Sequence, residues 1–177
     1  MPVPSPWTAC SAGSSTGSTA DFTPTRVRVY RICRAAHRAL DGEGARRYGG
    51  RWTEPGLPVV YTSTTRALAA LEVLVHLDPV EAPRDLVLLT IEVPDDATVA
   101  TVAADELPSG WAEVAEHHAC QSRGSTWARG GTQVGLRVPA APVPEEENVL
   151  LNPAHPDFSR VAIVAERSFR FDPRLLG

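Results

Sequence analysis

Three features of the sequence predict an α+β fold with a compact mixed or antiparallel sheet. Short β-like runs dominate from residue 26 onward. One amphipathic segment, residues 64–77, is strongly helical, with two weaker helical stretches elsewhere. No repeat of about 20–50 residues is present, which excludes a solenoid. Strands grouped around a few helices make the class α+β.

At 177 residues the chain is long enough for one domain with a real core. Hydrophobic residues at 43% and charged residues at 21% are the proportions of a globular protein without membrane spans. The net charge of -4 argues against nucleic acid as the main partner, since phosphate binding needs a basic face. Cys10, Cys33 and Cys120 are odd in number and widely spaced, which fits a reducing compartment. With no signal-peptide core and no long apolar run, the expected location is the cytoplasm, away from membranes.

Residues 1–25 are rich in Ser, Thr, Gly and Pro and read as a flexible tail, leaving residues 26–177 as the folded unit. Val27 and Val29 alternate with Arg28 and Tyr30, the pattern of a strand. Residues 34–48 allow a short helical turn before the loop Asp41-Gly42-Glu43-Gly44. Gly49-Gly50 permits a backbone path closed to residues with a Cβ, so the side chains that follow can be aimed inward. Residues 58–62 (PVVYT) read as a buried strand.

The helix over 64–77 takes its N-cap from Ser63, Thr64 or Thr65. Leu68, Leu71 and Val75 define its buried stripe; Glu72 lies on the shoulder, with His76 one turn later. Residues 86–93 (LVLLTIEV) predict a central strand, and 99–102 another. Residues 111–129 predict two helical pieces divided near Gly124. Strands follow at 133–138, 148–152 and 160–166, with 169–171 at the edge.

Several chemistries are disfavoured by spacing. His117 and His118 are adjacent, so on a helix they point about 100° apart and ligate one metal poorly. No Cys-x-x-Cys pair exists, and no metal site is expected. A Gly-x-Ser-x-Gly elbow, a Gly-x-Gly-x-x-Gly turn and a P-loop are all missing. Glu145-Glu146-Glu147 reads as a solvated loop. What remains is Arg31, Arg51, Tyr61 and Glu72, at element ends or beside an apolar face. Each has a plain structural reading: surface arginines, a strand-end tyrosine, an ion-paired glutamate. Together, a cation for phosphate, a ring for stacking and a carboxylate for developing positive charge suit a dinucleotide.

The ordered set Val29-Tyr30-Arg31-Ile32, Gly49-Gly50-Arg51-Trp52, Pro58-Val59-Val60-Tyr61, Leu71-Glu72-Val73-Leu74-Val75-His76, Leu136-Arg137-Val138-Pro139 and residues 148–158 (NVLLNPAHPDF) resembles the RES-domain family, over roughly residues 27–173. These are toxins of RES–Xre toxin–antitoxin pairs. The resemblance implies a fold like that of ADP-ribosyltransferases and an enzyme that cleaves the nicotinamide–ribose bond of NAD, with water or phosphate as acceptor. NAD is then substrate, and no resident cofactor is expected. It implies an Xre-type antitoxin partner that carries the DNA contact, and it leaves room for a toxin homodimer within that complex. Glu72 would stabilise the ribosyl cation, Arg31 and Arg51 would hold the pyrophosphate, and Tyr61 would stack on nicotinamide. The chain departs from the family at Pro139-Ala140, where Pro-Ser is usual. Ser122 or Ser125 would then supply the hydroxyl, or the chain is a weakened member that persists as a binding module. A mono-ADP-ribosyltransferase acting on protein is the rival activity.

Overall fold

The computed structural model describes residues 26–78, 83–113 and 117–176. Trp7, Phe22 and the predicted tail lie outside them. Seven strands form one mixed sheet in the order β4-β5-β6-β2-β1-β3-β7. They are β1 (Arg26–Arg34), β2 (Val60–Ser63), β3 (Leu86–Pro94), β4 (Val99–Thr101), β5 (Gly135–Pro139), β6 (Glu147–Leu151) and β7 (Ala162–Ser168). Strands β4 and β5 run parallel, and the other neighbouring pairs are antiparallel. Three α-helices accompany them: α1 (Glu43–Tyr48), α2 (Arg66–Leu74) and α3 (His118–Gly130). The expected α+β class is the observed one.

Side chains alternate across each strand, so the sheet builds two different surfaces. Leu136, Val138 and Leu150 face Trp52, Trp111, Cys120 and Trp127, which places α3 over one end of that surface. Ile32 and Leu88 pack against Ala69 beneath α2. On the opposite surface Val29, Val60, Leu89, Val149 and Leu151 form a second core closed by Phe158 and Val161. The run expected as a central strand, now β3, is indeed buried along nearly its whole length. It is nevertheless next to last, because the exposed β7 covers its outer edge. Residues 169–171 add no strand; Phe169 and Phe171 meet edge to face at 5.0 Å.

Two helices differ from the sequence expectation. The break predicted at Gly124 is absent, and α3 runs through it. The glycine is there for packing: a Cβ would collide with the Trp52 carbonyl, coming 2.9 Å from its carbon. Residues 111–113 are turn, and 114–116 fall outside the described residues. Helix α2 is shorter than predicted, capped by Thr65, whose side chain accepts from Leu68 N–H. It ends at Leu74, so Val75 is 54% exposed and the buried contacts are Leu68 and Ala69. The turn expected within 34–48 is a 3-10 turn at Ala35–His37, and α1 follows it, starting inside the predicted loop.

The sheet parts between β1 and β2. Strand β1 pairs with β3 along its whole length, from Arg26 opposite Pro94 to Arg34 opposite Leu86. Against β2 it keeps one register pair, Tyr30 with Ser63. A cleft opens where those strands separate.

Candidate active site

The cleft has a volume of about 300 Å³ and is walled by β1, β2, α1 and α2, with Asn148 of β6 behind them. Arg31, Tyr61 and Glu72 all line it, so three of the predicted site residues share one cavity. They come from three elements, and each is placed by a separate piece of local structure.

Tyr61 is held by the glycine turn. Its hydroxyl lies 2.9 Å from Thr53 Oγ1 and accepts from the Trp52 N–H at 3.2 Å. Gly50 approaches so closely that a Cβ there would stand 2.6 Å from that hydroxyl. The Gly-Gly-Arg-Trp turn therefore works as predicted in kind, but it aims backbone at Tyr61. Burial pushes the Tyr61 phenol up from its usual range, outweighing the hydrogen bond from Thr53 and the backbone. It stays a neutral phenol near pH 7, with its ring left to form the wall.

Glu72 is anchored across the sheet. Its Oε1 accepts a 2.5 Å hydrogen bond from Nδ2 of Asn148. The Asn148 Oδ1 in turn accepts from the Ser63 hydroxyl at 2.7 Å. Ser63 and Asn148 are register partners on β2 and β6 and both are buried. One turn beyond Glu72, His76 also lines the cleft, as helical spacing predicts.

The arginine-rich quarter of the chain resolves into ion pairs. Arg28 pairs with Glu92, Arg34 with Asp85, Arg38 with Glu166, and Arg46 and Arg47 with Glu43. Arg31 lines the cleft and donates from Nη1 to the Ala39 carbonyl over a long 3.5 Å. Arg66, which the sequence did not single out, stacks 4.3 Å over the ring of Tyr30, another cleft residue.

Arg51 and Ser122 do not line this cleft. Arg51 donates through Nη1 to the carbonyls of Trp111 and Glu113, at 2.7 and 3.0 Å. Ser122 is exposed on α3. Ser125 is buried and accepts from Glu54 N–H at 3.0 Å, so it pins the loop to α3. Ala140 is fully buried at the end of β5, donating its N–H to the Glu146 carbonyl. The serine hydroxyl that does line the cleft is that of Ser63.

An arginine of β1, a tyrosine of β2 and a carboxylate of α2 thus meet at one cleft in an α+β fold whose sheet parts between β1 and β2. The family model of the RES domain matches residues 28–172, and the chain belongs to that family. It is 41% identical over 139 residues to the "Prs ADP-ribosylating toxin" of Sphingobium sp., covering 77% of this chain and 86% of that one. It is 39% identical over 151 residues to "Toxin Res" of Photorhabdus laumondii, covering 84% of this chain and 96% of that one. Among solved structures, it superposes on a chain of the M. tuberculosis MbcT–MbcA toxin–antitoxin complex with a TM-score of 0.67. The identity is 24%, over 86% of this chain and 88% of that one, which shows a shared fold. Among the described residues, no helix is long and apolar enough to cross a membrane.

Proposed function

We propose that this chain is the toxin of a toxin–antitoxin pair and that it consumes NAD by cleaving the bond between nicotinamide and ribose. The observation that carries the reading is Glu72, a carboxylate tethered by Asn148 at the wall of a cleft that also presents Arg31 and Tyr61. The nicotinamide ring is a pyridinium cation in NAD and leaves as neutral nicotinamide with the bonding pair, so acid assistance is unnecessary. The barrier is the oxocarbenium character of the ribose. A carboxylate fixed beside it stabilises the transition state more than the ground state.

Glu72 would bond the ribose hydroxyls and face the developing cation. Tyr61, with its hydroxyl already engaged, offers its ring face to nicotinamide. Arg31 would pair with the pyrophosphate. Arg51, which stands outside the cleft with Nη1 on the Trp111 and Glu113 carbonyls, would meet the ligand only where it runs over the rim. About 300 Å³ suits the nicotinamide–ribose half of the molecule, with the adenosine half running over the rim. Water or inorganic phosphate then captures the ribosyl cation.

Glu72→Gln should lower the rate of nicotinamide release by on the order of 10²-fold or more, with folding unchanged. Full retention of cleavage would sink the assignment. The toxin reading draws on the relatives named toxins and on the fold shared with a chain of a toxin–antitoxin complex. It implies an Xre-type antitoxin, whose absence from a co-purified complex would count against it. The relative named as ADP-ribosylating favours a second reading, transfer of ADP-ribose to a protein. Labelled NAD would then mark a protein band instead of yielding free ADP-ribose.

A further inference from the structure

We propose that Asn148 and Ser63 form a positioning relay for Glu72, in which the Ser63 hydroxyl braces the Asn148 amide and that amide holds the carboxylate toward the cleft. The inference rests on the reading of Glu72 as the cation-stabilising group and names the residues that make it effective.

Donors and acceptors fix the arrangement. A carboxamide has an oxygen that only accepts and a nitrogen that only donates, so its two ends are not interchangeable. Ser63 Oγ stands 2.7 Å from the Asn148 oxygen, which accepts its proton. The nitrogen meets Glu72 Oε1 at 2.5 Å, and an ionised carboxylate can only accept. This contact selects the amide orientation that the Ser63 hydroxyl, able to donate or accept, then braces. Were the amide reversed, its oxygen would face the carboxylate and its N–H the serine. Ser63 is 4% and Asn148 8% exposed, so water competes little for either bond.

Backbone structure fixes the relay from below. Ser63 pairs with Asn148 in the β2–β6 ladder, so their side chains emerge side by side on one face. Thr64 Oγ1 donates to the Glu147 carbonyl at 2.9 Å, extending the tie to the first residues before α2. Glu72 stands on α2, a helix of nine residues whose other anchors are Leu68 and Ala69. Glutamate has three rotatable bonds, and without a partner its carboxylate would sample several positions. One fixed donor removes that freedom before substrate arrives.

The test compares Asn148→Asp with Asn148→Ala. Aspartate has nearly the shape of asparagine but replaces the donor with a second carboxylate against Glu72, so it turns the attraction into repulsion while preserving the volume. The relay predicts that Asn148→Asp loses at least as much kcat as Asn148→Ala, on the order of 10²-fold, with KM within about threefold. A space-filling role predicts the reverse order, the near-isosteric aspartate retaining more activity, and that result would overturn the proposal. Ser63→Ala should show a smaller fall in kcat, and Ser63→Thr, which keeps the hydroxyl, should recover most of it. Equal loss in both serine variants would remove Ser63 from the relay.

A second readout needs no NAD. In the NMR spectrum of the wild-type chain, one Asn148 side-chain amide proton should be shifted downfield and exchange slowly. In Glu72→Gln both features should weaken. An amide signal indifferent to Glu72 would overturn the relay alone. No NAD turnover by a wild-type chain that shows the coupled amide would overturn the functional reading and leave the relay in place.

Discussion

Single residues in this chain are fixed by approach distances that residue type does not announce. Gly124 is the clearest case. Helix propensity alone predicts that Gly124→Ala stabilises α3 by about 1 kcal/mol. The Trp52 carbonyl occupies the space the new methyl would need, and overpacking against backbone costs about 1–3 kcal/mol or more. The clash should win. Gly124→Ala is expected to lower the denaturant midpoint and to loosen the Glu54 to Ser125 bond beside it. A raised midpoint would show that the loop yields freely. From the sequence, Gly124 read as a helix break, since a glycine at a contact and a glycine at a break look alike. Glu72 was legible because four-residue spacing from Leu68 placed it on the helix shoulder. Ser63 and Asn148 were not legible as its partners, because a pairing across 85 residues leaves no local pattern.

Among the elements, period-two strands follow closely from residue pattern and helix ends less closely. Helix α2 was extended to Leu77 on apolar spacing, yet Val75 is already the C-cap and exposed. Terminal turns have few hydrogen bonds to hold them, so spacing continues past the point where structure stops. Helix α1 was missed as a separate element because six residues carry too little periodicity. Its local support is electrostatic. Bonds from Arg46 and then Arg47 hold the Glu43 carboxyl down from 4.5 to about 2. A depressed carboxylate stabilises the folded form above its unfolded value and ceases to do so as pH falls through the folded one. Protection of the α1 amides, relative to their intrinsic exchange rate, should therefore fall between about pH 4.5 and 2, less distinctly at high salt because the pairs are exposed. Glu43→Gln should abolish that pH dependence; an unchanged profile would mean the pairs contribute nothing to α1.

Across the whole molecule, the feature that forms the cleft is the parting of β1 from β2. The α+β class could be inferred from the order of strands and helices, but the split could not, since the runs forming β1 and β2 are equally strand-like. It arises because β2 is only four residues long and meets β1 at one pair. The arginine cluster shows the same limit. Composition marks a basic quarter, and only the fold distinguishes the arginines neutralised by Glu92, Asp85, Glu166 and Glu43 from Arg31 at the cleft.

Whether this cleft breaks the nicotinamide–ribose bond is decided by the products it releases. The most direct measurement is the mass-resolved product mixture from NAD and purified chain, with and without inorganic phosphate. The account predicts nicotinamide in both, accompanied by ADP-ribose in water or by its 1″-phosphate when phosphate is the acceptor. Intact NAD after prolonged incubation with folded protein in both buffers, and no ADP-ribose on any protein, would contradict it.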